Sequence, residues 1–303
     1  MTPQSANRVA LTGSGGFLGR AVSSAFRARG IEVRRLVRRE ARAADEIGWD
    51  PSSAAPPEGL AACSAVIHLA GEPIADGRWT PERKDRILRS RVDGTRRIAL
   101  ALAARPGPLP ALLCASGINI YGVRDDAAEE AEAPVAPGFL ASVCRAWEAA
   151  AEPARAAGGR VVHLRMAPVL GRGGGVMGRL LPVFRAGLGG PLGDGRQPMA
   201  WIEIDDAIAA IAHLLARPDL DGPFTLVAPE TVTQREFARA LGRALRRPAL
   251  LPTPAPLLRA IFGGMADELM LGGIRIRPRR LLDSGFVFRH PELQGALRHI
   301  LQP

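Results

Sequence analysis

"VALTGSGGFLGRAVSSAFRARGIEVRRLV", Val9 to Val37, decides the fold. Val9–Thr12 is a short apolar strand. A glycine run follows, then an apolar-periodic helix from Phe17 to Arg29 that Gly30 ends, and "IEVRRLV" is a second strand. Strand, helix, strand within about thirty residues is the βαβ unit, which calls for a parallel sheet.

The glycines at 13, 16 and 19 give the spacing G-x-x-G-x-x-G. Such a run is informative only between a strand and a helix, where this one lies. Gly13 permits the tight turn, Gly16 the approach of backbone N–H groups to a pyrophosphate, and Gly19 the close seating of the helix on the sheet. Gly13, Gly16, Phe17, Leu18 and Gly19 are the expected cofactor contacts here, with the helix end attracting the anion. At the tip of the second strand, where a free ribose 2′-hydroxyl usually meets an acid, stand Arg38 and Arg39. Guanidinium forks suit a 2′-phosphate, so the expected cofactor is NADP. Glu40 keeps NAD as the alternative.

The βαβ grammar continues. "AVIHLAG" is a third strand, and Leu69, Ala70 and Gly71 at its end are further expected cofactor contacts. "TPER" opens a long helix over Thr80–Ala104, with Thr80 as N-cap and Pro81 at N1. "ALLCAS" and "RVVHLRMAPVLG" are strands, and a helix follows Pro137. After Gly171 the chain becomes glycine-dense, with helices expected over Val176–Ala186, Asp205–Ala216, Thr233–Leu245 (a Thr233/Glu236 capping box) and Pro291–Leu301. The reading is an α/β, Rossmann-like doubly wound parallel sheet with a smaller C-terminal substrate domain. Residues 1–170 form the NADP-binding domain, with 201–230 returning to it, and 171–200 with 231–303 form the small domain.

Composition narrows the classes. The 303 residues are 47% apolar, enough for a folded globular protein. The net charge of +10 raises nucleic acid as a partner, but the basic residues are scattered and aromatics make up only 5%. No nucleic-acid partner is expected. Without an apolar run long enough to span a bilayer, or a signal-like N-terminus, no membrane partner is expected either, and the location is cytoplasmic. Cys63, Cys114 and Cys144 are scattered, which fits reduced, packed thiols. His68, His163, His213, His290 and His299 are isolated in sequence, and no metal site is expected.

With "TGSGGFLG", "VIHLAGEPIADGRWT", "SRVDGT", "INIYG", "CRAWE", "LRMAPVLG", "GDGRQPMAWIEIDD" and "LGGIRIRPRRLLDSGFVFR" in view, the chain resembles the extended short-chain dehydrogenase/reductases. More narrowly, it is similar to the epimerase-family relatives of sugar-nucleotide epimerases. The resemblance covers almost the whole chain. It implies a nucleotide cofactor, a small-molecule substrate, and a homodimer through the helices Thr80–Ala104 and Gly138–Ala157.

The resemblance also implies a catalytic tyrosine with a lysine four residues on, the cation bringing the phenol toward a useful pKa. No Tyr-x-x-x-Lys exists here. Tyr121 is the only tyrosine, Lys84 the only lysine, and alignment through "CRAWE" and Glu148 puts Leu140 and Cys144 at the dyad positions. Three candidates could handle protons instead: Ser116 after the strand "ALLCA", Tyr121 at the pocket mouth, and Glu72 in "LAGEPI". Each also has a plain role: a turn cap, a pocket wall, a loop brace. On the substrate side stand Arg91 in "SRVDGT" and Arg196, Gln197 and Trp201, while Asp205 and Asp206 are helix N-terminal acids. Two functions follow: an NADP-dependent oxidoreductase or epimerase acting on an alcohol or carbonyl, or a non-catalytic NADP(H)-binding sensor or partner-binding module.

Overall fold

The computed structural model describes residues 8–49, 59–128 and 136–302. The opening stretch forms β1 (Arg8–Thr12), α1 (Phe17–Ala28) and β2 (Glu32–Val37). The two strands pair in parallel, Val9 beside Val33 and Leu11 beside Arg35. Val22 and Phe26 of α1 are completely buried. Gly30, just past the helix, has φ +75°, where a Cβ would be penalised.

Five more strands complete the sheet: β3 (Glu46–Gly48), β4 (Ala65–His68), β5 (Ala111–Gly117), β6 (Val161–Met166) and β7 (Gly222–Leu226). The order is β7-β6-β5-β4-β1-β2-β3, and every neighbouring pair is parallel. The chain runs outward from β1 to β3 and then returns to β4 on the other side of β1. This reversal opens a crevice at the carboxyl ends of the strands, where doubly wound sheets hold ligands.

Alternation along β1 sends Val9 and Leu11 to one face of the sheet and Ala10 to the other. The first face is covered by α1 and by α6 (Ile204–Ala216), through Phe26, Ile208, Ile211 and Leu214. The second is covered by α2 (Pro81–Ala103) and α3 (Phe139–Ala149), through Ile98, Leu102 and Trp147. Thr80 caps α2 as expected, its Oγ1 accepting the Arg83 N–H at 3.3 Å. The helix expected through Ala157 instead breaks after Ala149 and resumes as α4 (Glu152–Ala156). Pro153 has no N–H to give the Ala149 carbonyl, so the helical ladder cannot run through.

Beyond β6, α5 (Gly175–Arg185), α7 (Gln234–Leu245) and the helix Leu293–Leu301 enclose a separate core with Leu181, Phe184, Phe237 and Leu297. The expected capping box of α7 is formed by Thr233 and Glu236. The glycine-dense stretch before α5 makes room for Phe17: a Cβ on Gly174 would lie 2.7 Å from its ring, and one on Gly171 2.9 Å. Among the described residues, no helix is long and apolar enough to cross a membrane. The three cysteines are free and buried. The loop "GWDPSSAAPPEG" lies mostly outside the described residues.

Candidate cofactor and active site

A cleft of about 1280 Å³ opens at the ends of β1, β2 and β4. Of the expected contacts, Gly13, Gly16, Arg38, Arg39, Leu69, Ala70 and Gly71 line it. Phe17, Leu18 and Gly19 do not. Gly13 has φ +69°, and a Cβ there would lie 2.8 Å from the Leu69 carbonyl carbon. A Cβ on Gly19 would lie 2.1 Å from the Gly13 carbonyl oxygen. The turn therefore closes only with glycine at both places. The Gly16 N–H donates to Gly13 O at 2.9 Å. From there α1 starts with no side-chain cap and no acid in its first turn, so its positive end is left to an anion.

Thr12 fixes the floor. Its Oγ1 accepts the N–H groups of Leu69 (3.1 Å) and Ala70 (3.2 Å) and lies 2.7 Å from His68 Nδ1. With both lone pairs engaged, the hydroxyl proton goes to Nδ1, which puts the histidine proton on Nε2. His68 is completely buried, and burial pulls its pKa down to about 4, so the ring is neutral.

The two expected 2′-phosphate arginines differ. Arg39 forks onto Glu46, Nη1 to Oε2 and Nη2 to Oε1, both at 2.8 Å. That bond and the Arg42 N–H hold the Glu46 carboxyl at about 2. Arg38 has no ion pair or side-chain hydrogen bond among the described residues. Arg86, Arg89, Arg96 and Arg97 of α2 also line the cleft. Arg86 and Arg89 are three residues apart and Arg89 and Arg96 seven, the helical spacing that was the available sequence signal for this second basic wall.

Ser116 and Tyr121 belong to a buried chain that does not line the cleft. Ser116 Oγ donates to Glu148 Oε1 at 2.7 Å, and Glu148 is paired with Arg165. Arg165 Nη1 donates to Tyr121 Oη at 2.9 Å, and Tyr121 Oη lies 3.0 Å from Thr225 Oγ1. Tyr121 is 2% exposed, so it is an interior link and not a pocket-mouth residue. Burial pushes the Glu148 carboxyl up, but Arg165 outweighs it and the net shift is downward. Glu72 lines the cleft, half-buried, with Arg83 Nη1 3.8 Å from its carboxylate.

The dyad positions are closed. Leu140 and Cys144 are both buried, and burial pushes the Cys144 thiol up to about 11. The N–H groups of Phe139 and Leu140 donate to the Glu268 carboxylate at 2.9 and 2.8 Å. A residue of the C-terminal segment thus caps α3, a contact no local pattern announced.

The expected substrate-side set is not brought together. Arg196 is exposed. The Gln197 amide donates to the carbonyls of Leu192 (3.1 Å) and Met270 (2.7 Å), tying two loops. Trp201, expected near the pocket, is completely buried in the small-domain core and does not line the cleft. Arg91 stands behind Gly71. The histidines are not all isolated: His290 and His299 stack at 4.4 Å, and His299 Nε2 lies 2.9 Å from Asp205 Oδ2.

Residues 9–227 match the NAD dependent epimerase/dehydratase family. The chain belongs to that family. The family match runs from β1 to just past β7, and a domain of unknown function, DUF1731, matches residues 253–300. An epimerase family protein of Mycobacterium bovis is 39% identical, covering 95% of this chain and 96% of its own. The epimerase family protein SDR39U1 of Bos taurus is 38% identical, covering 97% and 99%. The crystal structure of human epimerase family protein SDR39U1 (isoform 2) with NADPH superposes with a TM-score of 0.86 at 35% identity, over 97% of this chain and 98% of that one. MoeE5 in complex with UDP-glucose and NAD shares the fold, at a TM-score of 0.76 and 22% identity over 97% of each chain.

Proposed function

We propose that the chain binds NADP(H) in the cleft at β1, β2 and β4 and acts as an oxidoreductase or epimerase on an alcohol or carbonyl group of a small molecule. The observation that carries the reading is the cradle: Gly13 and Gly19 leave no space for a Cβ, α1 starts uncapped, and Arg38 lines the cleft without a partner among the described residues. The human relative crystallised with NADPH supports the same cofactor.

When bound, the nicotinamide supplies or accepts hydride. The chain's own residues bind and orient. Backbone from Gly13 to Gly16, with the end of α1, holds the pyrophosphate. Arg38 takes the 2′-phosphate. The Thr12–His68 knot fixes Leu69 and Ala70 beneath the dinucleotide. Glu72, which lines the cleft, is the carboxylate placed to accept a substrate proton, and Ser116 acts from the buried chain behind it.

Purified protein is incubated with NADPH and a panel of ketones, enals and nucleotide sugars, following absorbance and isomer composition. Turnover that Glu72→Gln or Ser116→Ala abolishes supports the enzyme. One observation favours a second reading, a non-catalytic NADP(H)-binding sensor or partner-binding module: Ser116 already gives its proton to Glu148, and Tyr121 is held by Arg165 and Thr225. Tight NADPH binding without turnover across the panel selects that reading. Failure to bind either nicotinamide coenzyme overturns both.

A further inference from the structure

We propose that Arg91 is the cation on the nicotinamide side of the cleft, supplied by α2 in place of the lysine missing from α3. The inference rests on the cofactor reading above.

The geometry begins with two helices side by side. Lys84 and Arg91 are seven residues apart on α2, two turns, and so share one face. Each covers an aromatic ring of α3: the Lys84 ammonium lies 5.1 Å from the Phe139 ring centre, and the Arg91 guanidinium 5.0 Å from that of Trp147. Phe139 and Trp147 are themselves eight residues apart. The face of α2 that carries both cations is therefore packed on the stretch of α3 holding both dyad positions, Leu140 and Cys144. Cys144 is short where a long cationic chain would extend. The Arg91 charge and the Cys144 thiol are close enough for each to act on the other.

The guanidinium does not itself line the cleft but backs onto its wall at Gly71. A Cβ on Gly71 would sit 3.1 Å from Arg91 Cζ, 3.3 Å from Nη2 and 3.4 Å from Nη1. Gly71 lines the cleft, and its lack of a side chain is what lets the guanidinium come up to the loop after β4. Nη1 is anchored by neutral oxygens: the carbonyls of Glu72 (3.0 Å) and Ile87 (3.1 Å), and Ser90 Oγ at 3.5 Å. No carboxylate bonds to it, and Nε and Nη2 make no hydrogen bond among the described residues.

A half-buried charge anchored on one nitrogen, with donors in reserve, is an incomplete arrangement. Under the proposal, Nη2 takes its acceptor from a ligand. Dinucleotides cross doubly wound sheets at the switch point, from the β2 tip toward the strands beyond β4. Arg38 marks the 2′-phosphate end, and Arg91 lies at the other. What reaches Arg91 past Gly71 is the nicotinamide ribose, with a hydroxyl accepting from Nη2, the nitrogen beside Gly71 that makes no hydrogen bond among the described residues.

The test measures binding to the full-length chain by calorimetry, using NADPH and 2′,5′-ADP. The second compound stops at the adenosine 5′-phosphate and carries no nicotinamide ribose. Arg91→Gln is expected to weaken NADPH about tenfold or more, the worth of a charged hydrogen bond, and to leave 2′,5′-ADP within about twofold. Arg91→Lys is expected to restore most of the NADPH affinity, because it restores the charge. If Arg91→Gln does not fold, Arg91→Met, which keeps the packing on Trp147, carries the same comparison. Unchanged NADPH binding, or equal loss of both ligands, overturns the inference. A wild-type chain that binds neither compound overturns the cofactor reading, and this inference with it.

Discussion

Glu148 and Arg165 close a two-pronged ion pair, Nε to Oε1 and Nη2 to Oε2, each at 2.8 Å. The carboxylate comes from α3 and the guanidinium from β6, with side chains only 14% and 6% exposed. The pair also organises its neighbours, holding the Ser116 hydroxyl on one side and the Tyr121 phenol on the other. Removing one partner strands the other charge in the interior. Glu148→Ala is therefore expected to cost about 3–5 kcal/mol of unfolding free energy. Ser116→Ala, which removes one hydrogen bond to a carboxylate that keeps its arginine, should cost about 1 kcal/mol. Urea denaturation of the two variants checks this. Equal losses would mean that the pair is not integral to the fold.

The two arginines at the β2 tip should separate in the same way. Arg35 and Arg39 converge on Glu46, at 3.2 and 2.8 Å. Both Arg38 and Arg39 line the cleft, but Arg38 has no ion pair or side-chain hydrogen bond among the described residues. Arg38→Ala is expected to weaken NADPH about tenfold while leaving NADH nearly unchanged, since only NADPH carries the 2′-phosphate. Arg39→Ala should shift both coenzymes little and equally. Paired titrations of the two variants with the two coenzymes decide it, and a selectivity change centred on Arg39 would reverse the assignment.

That division shows where the sequence could be read and where it could not. The βαβ stretch was legible because its signals are local: apolar run, glycine spacing, helix period, second apolar run. Caps at Thr80 and Thr233 were legible for the same reason. Arg38 and Arg39 read as a pair because Glu46, the carboxylate that takes only Arg39, lies on the next strand and nothing local announces it. Trp201 is drawn to the pocket by its neighbours "GDGRQ", whereas its ring is claimed by a core built from α5, α7 and the last helix. The Glu268 cap on α3 spans more than a hundred residues, and no pattern along the chain encodes such a contact.

Two glycines four residues apart give a sharp contrast. A Cβ on Gly19 would meet the Gly13 carbonyl oxygen at 2.1 Å, and backbone cannot step aside as a flexible side chain can. Gly19→Ala is expected to destabilise by about 1–3 kcal/mol or more, through overpacking, and to lose NADPH binding. Gly15 has nothing within 4 Å of where an added methyl would stand, and no positive φ. Gly15→Ala should keep the stability of the wild type. Thermal melts with and without NADPH test both. A Gly19→Ala protein that melts and binds normally would contradict the role given to the helix–strand contact.

Acid sensitivity follows from two buried histidines and one buried glutamate. Burial brings His68 and His163 down to about 4, against 6.5 in the unfolded chain. Between those values the unfolded chain takes up protons that the folded chain refuses. Their contribution is thus complete above pH 6.5 and lost as pH falls toward 4. Glu203 works the other way. Its Oε2 accepts the N–H groups of Asp205 and Asp206, its Oε1 is buried without a partner among the described residues, and burial raises its pKa from 4.5 to about 7. The folded chain then keeps a proton that the unfolded chain releases, and that contribution is lost as pH rises through 7. Two histidines against one glutamate leave a net loss of stability on acidification from pH 6.5 to 4.5. Asp45, Glu46 and Asp219, all near 2, change below this window. Glu203→Gln removes the opposing group and should steepen the loss, while His68→Asn should make it shallower. Urea midpoints at several pH values across the window measure the slopes. A slope unmoved by either substitution would place the acid sensitivity elsewhere in the molecule.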